Sequence, residues 1–522
     1  MKNRLPLVIL FALCTVAQTN AQTPSVFGSN MVLQRSKPVP VWGKAAAGQK
    51  VSVSFAGQSK STKTDANGDW KITLDAMPAS AKPRDMVIAS KNRVVFNNIL
   101  VGEVWICSGQ SNMEWVVRSC ANANAEIQSA NHPAIRHIKV PRHATDTPQA
   151  NFNGSWTVCS PSTSAQYTAV GYYFGRALHR ALGVPIGLIN TSWGGTRIEP
   201  WTPLEGFKKI QNAGFTKSII QRIEEADPTT AAGKMRYAAV MKEFRAWADR
   251  SEKRIANGQY PSNPPSMPSL GNNHQMPARL YRGMVHPLVP YAMRGAIWYQ
   301  GESNGNEGIT YLQKMQGLIS GWRHVWGQGD FPFYFVQLAN YTQDKKTPAG
   351  ADGYAKIRDA QRQSLQIANT GMAVIIDIGE TRDIHPKNKQ DVGKRLAAWA
   401  LARDYGKDVV ASGPLYKSHK VEGEQFRVTF DYVGGGLMVG NKSGLSPTVA
   451  TQGKPLQRFA IAGKDRKWHW ANARIDGKSV VVSSDQVPNP VAVRYAYSAN
   501  PLGANLYNKA GLPASPFRTD QW

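Results

Sequence analysis

The stretch Val104–Trp115, VWICSGQSNMEW, joins an apolar run to the start of a helical pattern through five small polar residues. The apolar run ends at Cys107, and Gly109 allows a tight turn after it. Two interpretations of Ser111 are open: it caps the helix that follows, or it is a nucleophile held at the top of a sheet. The second glycine of the G-x-S-x-G motif is missing, which disfavours an α/β-hydrolase nucleophile elbow.

Apolar runs of the same kind recur along the chain and alternate with helical patterns. They lie at 99–107, 184–190, 295–300, 331–339 and 372–379. Near-continuous apolar strands separated by helices predict a parallel sheet covered on both faces, so the expected fold class is α/β. Apolar spacing within 170–182 and 392–400 predicts two of the covering helices. Ligands of such sheets bind outside the carboxyl ends of the strands.

The chain of 522 residues is too long for one core and predicts several domains. Short alternating strands separated by turn residues predict a β-sandwich domain at 22–100. The α/β domain is expected at 101–410, with a helical insertion at about 200–290 where the strand rhythm is interrupted. A second β-sandwich domain is expected at 411–522, where the pattern becomes β-like again.

Residues 1–21 combine a basic start, an apolar run and small residues up to Ala21, which is typical of a secretory signal peptide. We therefore expect an exported protein, periplasmic or extracellular, with no membrane span after the signal. The net charge of +27 arises from basic residues scattered along the chain, which favours a solvated basic surface over a nucleic-acid-binding one. The oligomeric state is left open.

Three cysteines follow the predicted signal peptide: Cys107, Cys120 and Cys159. No Cys-x-x-Cys pair is present, so a zinc ribbon or a redox motif is not expected. A Cys120–Cys159 disulfide and buried free thiols are both open alternatives. The chain also lacks the HExxH, Walker A and strand-associated GxGxxG motifs, and we expect neither a metal nor a cofactor.

Four stretches place small or polar residues at the ends of apolar runs, where a core strand does not need them. They are CSGQSNM (107–113), NTSWGGTRIEPW (190–201), WYQGESN (298–304) and DIHPKNKQDVGKRLA (383–397). His385 is placed to act as general base for a serine hydroxyl. Gly194 and Gly195 can offer backbone N–H groups to the negative charge that acyl transfer creates. Gln300 or Asn304 can offer a side-chain amide.

Together and in this order, the four stretches resemble the sialate O-acetylesterase family of SGNH hydrolases, whose catalytic fold is flavodoxin-like α/β. The resemblance implies that Ser111 is the nucleophile and His385 the base. It also implies an oxyanion hole formed by the N–H groups of Ser111 and Gly195 (or Gly194). The Gln300 amide completes this hole, and Asn304 is the alternative donor.

One position departs from the family pattern. SGNH enzymes carry an aspartate three residues before the histidine, and Arg382 stands there in this chain. Asp383, two residues before His385, is the candidate orienter of the imidazole. Glu302, Asp377 or a backbone carbonyl are the alternatives, in which case a Ser–His dyad remains.

The resemblance implies removal of acetyl groups from sugar hydroxyls, with O-acetylated sialic acid as the expected substrate. Arg197 is expected to pair either with the substrate carboxylate or with Glu199 or another nearby acid. Trp193 and Trp298 are candidates for sugar stacking. Glu302 is a further candidate contact to the substrate. An acetylxylan or pectin acetylesterase and a non-catalytic carbohydrate-binding protein are the alternative functions.

Overall fold

The computed structural model describes residues 21–210, 214–271 and 273–522. The predicted signal peptide, residues 1–21, lies outside these ranges apart from Ala21. Six strands come first: β1 (Val32–Gln34), β2 (Val39–Lys44), β3 (Lys50–Phe55), β4 (Gln58–Lys63), β5 (Asp69–Leu74) and β6 (Ser80–Ala89). Alternate residues of β3 are buried, as the sequence pattern predicts. Strand β2 pairs with β5, and β3 pairs with β4 and β6.

The next strand, β7 (Arg93–Gly109), is 17 residues long and belongs to two parts of the molecule. Its first part pairs antiparallel with β6, and β1 pairs parallel with its residues 100–102. From Glu103 onward it pairs with strands of the central sheet. The predicted domain boundary at residue 100 therefore falls inside a continuous strand, and the buried residues on both sides of it form one hydrophobic core.

The central sheet is completed by β8 (His132–Lys139), β9 (Thr157–Cys159), β10 (Ile186–Ser192), β11 (Gly295–Tyr299), β12 (Phe333–Val336) and β13 (Thr370–Ala373). The strand order is β13-β12-β11-β7-β10-β8-β9. All neighbours run parallel except β9, which is antiparallel to β8. Strands β10 to β13 are buried along their whole length, as near-continuous apolar runs predict. The fold is mixed α/β with a mostly parallel central sheet.

The α-helices in the described ranges are α1 (Ser111–Glu114), α2 (Ala123–Gln128), α3 (Ala169–Leu182), α4 (Leu204–Lys208), α5 (Gly214–Glu225), α6 (Ala231–Ala256), α7 (Ile309–Trp326), α8 (Gly353–Gln363) and α9 (Lys389–Arg403). Helices α3 and α9, both predicted from apolar spacing, pack against each other. Gly393 permits this packing, because a Cβ there would lie 2.6 Å from the backbone nitrogen of Phe174. Within those ranges no helix is both long and apolar enough to cross a membrane.

Helices α4, α5 and α6 lie between β10 and β11, in the region where a helical insertion is predicted. Their buried apolar residues, which include Phe207 and Ile223, form a small cluster separate from the main core. The segment that follows α6 approaches the carboxyl ends of the central strands, since Gln275 hydrogen-bonds the loop after β10.

Beyond α9 the chain is β-rich and has a hydrophobic core of its own. Its strands are β14 (Leu415–Glu422), β15 (Gln425–Asp431), β16 (Leu437–Asn441), β17 (Val449–Ala450), β18 (Phe459–Ala462), β19 (Trp468–Trp470), β20 (Asn472–Asp476), β21 (Ser479–Ser483), β22 (Ala492–Tyr495), β23 (Leu506–Asn508) and β24 (Phe517–Arg518). They form three antiparallel sheets, β14-β15-β21-β20, β17-β16-β23 and β19-β18-β22-β24. Buried Arg358 of α8 connects this region to the central one by donating to the carbonyl oxygens of Ser498 and Ala499.

Cys107, Cys120 and Cys159 are free and buried. Of the two alternatives left open by the sequence, the structure thus has the buried thiols and not the Cys120–Cys159 disulfide. Burial raises the pKa of the Cys120 and Cys159 thiols to about 12, which keeps both in the unreactive thiol form.

Candidate active site

Ser111 lies where β7 ends between its two parallel neighbours, β10 and β11. The last residue of β7, Gly109, is in register with Ser192 on one side and Tyr299 on the other. Gly109 has a φ of +137°, and a Cβ there would lie 2.1 Å from the carbonyl oxygen of Tyr299. The turn therefore requires glycine. Ser111 is the first residue of α1, so its N–H has no acceptor within that helix.

The structure brings Ser111 and His385 together although 274 positions separate them in the chain. Ser111 Oγ lies 2.9 Å from His385 Nε2. His385 belongs to the loop between β13 and α9, so both groups are at the carboxyl edge of the central sheet. The ring of Trp115 stacks on the imidazole, with centroids 4.9 Å apart and planes inclined by 16°. Hydroxyl and imidazole are thereby held within proton-transfer distance.

Asp383 lies on the other side of the imidazole. Its Oδ1 is 3.3 Å from His385 Nδ1 and also accepts the backbone N–H of His385 at 2.8 Å. Its Oδ2 pairs with Lys387 Nζ at 2.7 Å, and this hydrogen bond lowers the pKa of the carboxyl group. Asp383 therefore stays ionised beside the imidazole at neutral pH.

The pKa of His385 is lowered from its ordinary value. Burial is the main cause, because it disfavours the charged imidazolium, and the charge of Lys389 acts in the same direction. The charge of Asp383 opposes both by raising the pKa. The imidazole is consequently neutral at pH 7, which is the form that can accept a proton.

The two alternative carboxylates have other partners. Asp377 forms a bidentate ion pair with Arg395, with its oxygens at 2.6 and 2.8 Å, so it is not the orienter of His385. Glu302 Oε1 accepts a hydrogen bond from Asn112 Nδ2 at 2.5 Å. Glu302 Oε2 has no hydrogen-bond partner among the described residues, and burial raises the pKa of the carboxyl group, so its role as a substrate contact stays a prediction.

The glycine pair after β10 lies next to the serine. A Cβ on Gly194 would be 3.2 Å from Ser111 Cβ. The Gly194 N–H is already used, since it donates to Glu114 Oε2 at 2.8 Å. Gly195 has a φ of +73°, and its carbonyl oxygen accepts from Gln275 Nε2 at 2.6 Å. Of the two N–H groups, that of Gly195 makes no hydrogen bond to another described residue and is the one left for a ligand.

Gln300 and Asn304 are buried, and their side chains hydrogen-bond each other and the loop after β10. Gln300 Nε2 donates to the carbonyl oxygen of Thr196 at 3.1 Å and to Asn304 Oδ1 at 2.8 Å. Asn304 Nδ2 donates to Glu199 and Glu307. The N–H groups of both amides already donate to acceptors within the protein, so the prediction that they are oxyanion donors has to be corrected. They support the glycine loop instead.

The predicted substrate contacts differ in their surroundings. Trp298 is 1% exposed, so the prediction that it stacks on a sugar is wrong. Trp193 is partly exposed and stacks on His274, with centroids 4.7 Å apart and planes inclined by 4°. Arg197 pairs with Glu307 and lies 3.4 Å from Glu199, which is the ion-pair alternative from the sequence. Its side chain is nevertheless 43% exposed.

Three residues of the site were not assigned roles from the sequence, although all lie in the quoted stretches. The Glu114 carboxylate accepts a hydrogen bond from the Gly194 N–H. It also accepts two hydrogen bonds from the Arg142 guanidinium group, at 2.9 and 2.5 Å. Asn112 bridges Glu302 and the carbonyl oxygen of Ile384. Lys389 is buried and hydrogen-bonds Asn112. For Asn112 the available signal was a polar residue directly after Ser111, whereas the positions of Glu114 and Lys389 gave no such signal.

A serine hydroxyl in contact with an imidazole at the carboxyl edge of a parallel sheet is the arrangement of an α/β ester hydrolase. The family model described as carbohydrate esterase, sialic acid-specific acetylesterase matches residues 101–241 and 271–402. The chain belongs to this family of carbohydrate esterases, and the family predicted from the four stretches is confirmed.

Similar proteins cover nearly the whole chain. The sialate O-acetylesterase of Rattus norvegicus is 28% identical over 545 residues, which are 94% of this chain and 93% of that protein. The sialate O-acetylesterase of Homo sapiens is 28% identical over 542 residues, with 94% and 91% coverage. The crystal structure of a carbohydrate acetylesterase from Xanthomonas citri is 34% identical, covers 96% of this chain and 100% of that chain, and superposes with a TM-score of 0.79.

Proposed function

We propose that this carbohydrate esterase removes acetyl groups from the hydroxyls of O-acetylated sialic acid, with Ser111 as nucleophile and His385 as general base. The observation that carries the mechanism is the 2.9 Å contact between Ser111 Oγ and His385 Nε2. The substrate is inferred from relatives named sialate O-acetylesterases, which align with 94% of the chain.

The proposed reaction has two steps. His385 Nε2 takes the Ser111 proton as Oγ attacks the acetyl carbonyl carbon, and the tetrahedral intermediate collapses with cleavage of the bond to the sugar oxygen. His385 returns its proton to that oxygen, so the sugar leaves as an alcohol. Water then attacks acetyl-Ser111 with His385 again as base, and acetate leaves.

The proposed oxyanion hole consists of the N–H groups of Ser111 and Gly195. The first is at the start of α1, and the second makes no hydrogen bond to another described residue. Gln300 supports the loop through Thr196, and Asn304 Oδ1 accepts the backbone N–H of Ile198 at 3.1 Å. At the edge of this loop, the partly exposed Trp193 and Arg197 are the proposed contacts to the sugar ring and to the sialate carboxylate.

A measurement of released acetate tests the substrate. We expect mass spectrometry to detect acetate from O-acetylated sialic acids at a higher kcat/KM than from acetylated xylan or pectin. Wild-type Ser111 should also be labelled by a fluorophosphonate probe. Preference for xylan or pectin would reassign the substrate, and glycan binding with neither turnover nor labelling would indicate a carbohydrate-binding protein.

Replacing Asp383 with Asn is expected to move the pH dependence of kcat/KM. The Asp383 charge raises the pKa of His385, so its removal lowers that pKa and shifts the acid limb of the profile to lower pH. We expect kcat to fall by about 10-fold, less than the roughly 10⁴-fold known for a buried triad aspartate, because Asp383 is 36% exposed. Exposed Asp408→Asn is the matched control. An acid limb that moves to higher pH would contradict the assignment of Asp383 as orienter.

The finer fold assignment is part of the proposal. In chain order, β7, β10, β11, β12 and β13 are arranged 2-1-3-4-5, the flavodoxin-like order expected for SGNH hydrolases, with β8 and β9 added outside β10. We also propose a β-sandwich region at 22–100 that shares its core with the central sheet through β7, a β-sandwich domain with its own core at 411–522, and export directed by residues 1–21.

A further inference from the structure

Lys389 is fully buried at the first position of α9. A cation is unfavourable at the N-terminus of a helix, where the macrodipole is positive, and burial of an ammonium group costs free energy. Its Nζ lies 2.6 Å from Asn112 Oδ1 and 2.7 Å from the carbonyl oxygen of Pro386. Both partners are neutral carbonyl oxygens, so the charge is solvated by dipoles and not by a contacting carboxylate. The rings of Trp115 and Tyr299 also lie within 6 Å of this ammonium group, at 5.6 and 5.7 Å from Nζ to the ring centroids.

The contacts of Lys389 bracket the serine and the histidine. Asn112, which accepts from Lys389, directly follows Ser111, and its Nδ2 donates to the carbonyl oxygen of Ile384 at 3.0 Å. Ile384 precedes His385, and Pro386, the second acceptor of Lys389, follows it. Three hydrogen bonds thus connect the nucleophile turn with the peptide units on both sides of the imidazole.

The charge of Lys389 also acts on the imidazole itself. It lowers the pKa of His385, and it opposes Asp383 in doing so. Burial lowers the pKa of Lys389 to about 7. His385 titrates below its ordinary value of 6.5, so Lys389 is still protonated in the pH range where the imidazole gains its proton. The titratable groups that face this pair are Asp383, Lys387, Glu380, Glu302, Tyr299 and Cys120.

We propose that Lys389 is a positioning residue of the esterase reaction, which sets the distance between Ser111 and His385 through its hydrogen bonds to Asn112 and to the carbonyl oxygen of Pro386. The inference rests on the proposed function, because it requires Ser111 and His385 to be the reacting pair. It predicts two separable effects, one on kcat through hydrogen bonding and one on the pH profile through charge.

Two substitutions separate these effects in p-nitrophenyl acetate hydrolysis. Lys389→Met removes the donors and the charge, and we expect kcat to fall by about 10- to 100-fold, as a misplaced reacting group causes. It should also move the acid limb of kcat/KM upward by about one pH unit, since a like charge has been removed. Lys389→Gln keeps a donor amide, so kcat should fall less while the acid limb moves upward by a similar amount. Exposed Lys394→Met on the same helix is the matched control and should leave both unchanged.

Wild-type kcat in Lys389→Met, or an equal loss of kcat in Lys394→Met, would overturn the positioning role. An acid limb that stays in place in both Lys389 variants would reject the effect of the lysine charge. Circular dichroism identifies a variant that does not fold; if Lys389→Met fails this check, Lys389→Gln decides the result alone. The outcome is distinguishable from failure of the proposed function. An active Ser111→Ala variant would reject the proposed function itself, whereas an inactive one with unaltered Lys389 profiles rejects only the role of the lysine.

Discussion

Replacement of Ser111 with Ala is expected to reduce the kcat of p-nitrophenyl acetate hydrolysis by roughly 10⁴- to 10⁶-fold. The reason is that the proposed reaction forms its covalent intermediate on Oγ, which alanine lacks. The side chain is small and lies at a turn fixed by the backbone of β7 and by Gly109, so the variant should fold normally. Initial rates with purified protein, and circular dichroism for the fold, check the expectation.

The exposed serine of the same region, Ser119, supplies the control for this substitution. Ser119→Ala removes a hydroxyl that does not hydrogen-bond His385, so the variant should retain wild-type rates. Fluorophosphonate labelling should be present in wild type and in Ser119→Ala, and lost in Ser111→Ala. Labelling that survives in Ser111→Ala would show that another residue is the nucleophile.

Replacement of His385 with Ala is expected to lower kcat by about 10⁴-fold or more, because the serine hydroxyl then has no base and the sugar oxygen no acid. The fluorophosphonate reaction of Ser111 should slow in parallel, since the same base activates the hydroxyl. Loss of the imidazole leaves a space beside the ring of Trp115, which now stacks on it at 4.9 Å. We therefore expect added imidazole to restore part of the activity.

Exposed His324, near the carboxyl end of α7, provides the comparison variant. His324→Ala should retain wild-type kcat and should not respond to added imidazole. If His385→Ala hydrolyses the ester at a wild-type rate while its circular dichroism is unchanged, the histidine is not the base. A similar loss in His324→Ala would point to a general effect of histidine removal.

The sequence predicted the parts of the fold that depend on local patterning. Continuous apolar runs identified the buried strands β10 to β13 because such strands are shielded on both faces. Helical spacing identified α3 and α9. Small polar residues at the strand ends identified the loops that meet at one edge of the sheet, including those of Ser111 and His385.

What the sequence did not predict depends on how buried polar groups share their hydrogen bonds. Gln300 has the residue type of an oxyanion donor, but its two N–H groups are used by Thr196 and Asn304, and no pattern along the chain reveals that pairing. Trp298 is a different case. Its ring is of a type that stacks on sugars, but its apolar neighbours in the sequence already indicated the buried strand in which it lies. In the sequence, Lys389 has the residue type of an exposed charge. In the structure it is buried, and its ammonium group donates to the carbonyl oxygen of Pro386 in the loop before α9.

Strand β7 has a consequence for attempts to recombine this protein with its relatives. This strand of 17 residues begins where it pairs with β6 and ends at Gly109, two residues before Ser111. A crossover placed anywhere from 93 to 109 would therefore put the junction of a chimera inside a single strand that pairs with both β6 and the central sheet. Exchanging the first hundred residues for those of a relative would therefore change the strand pairing of the segment that leads directly to Ser111.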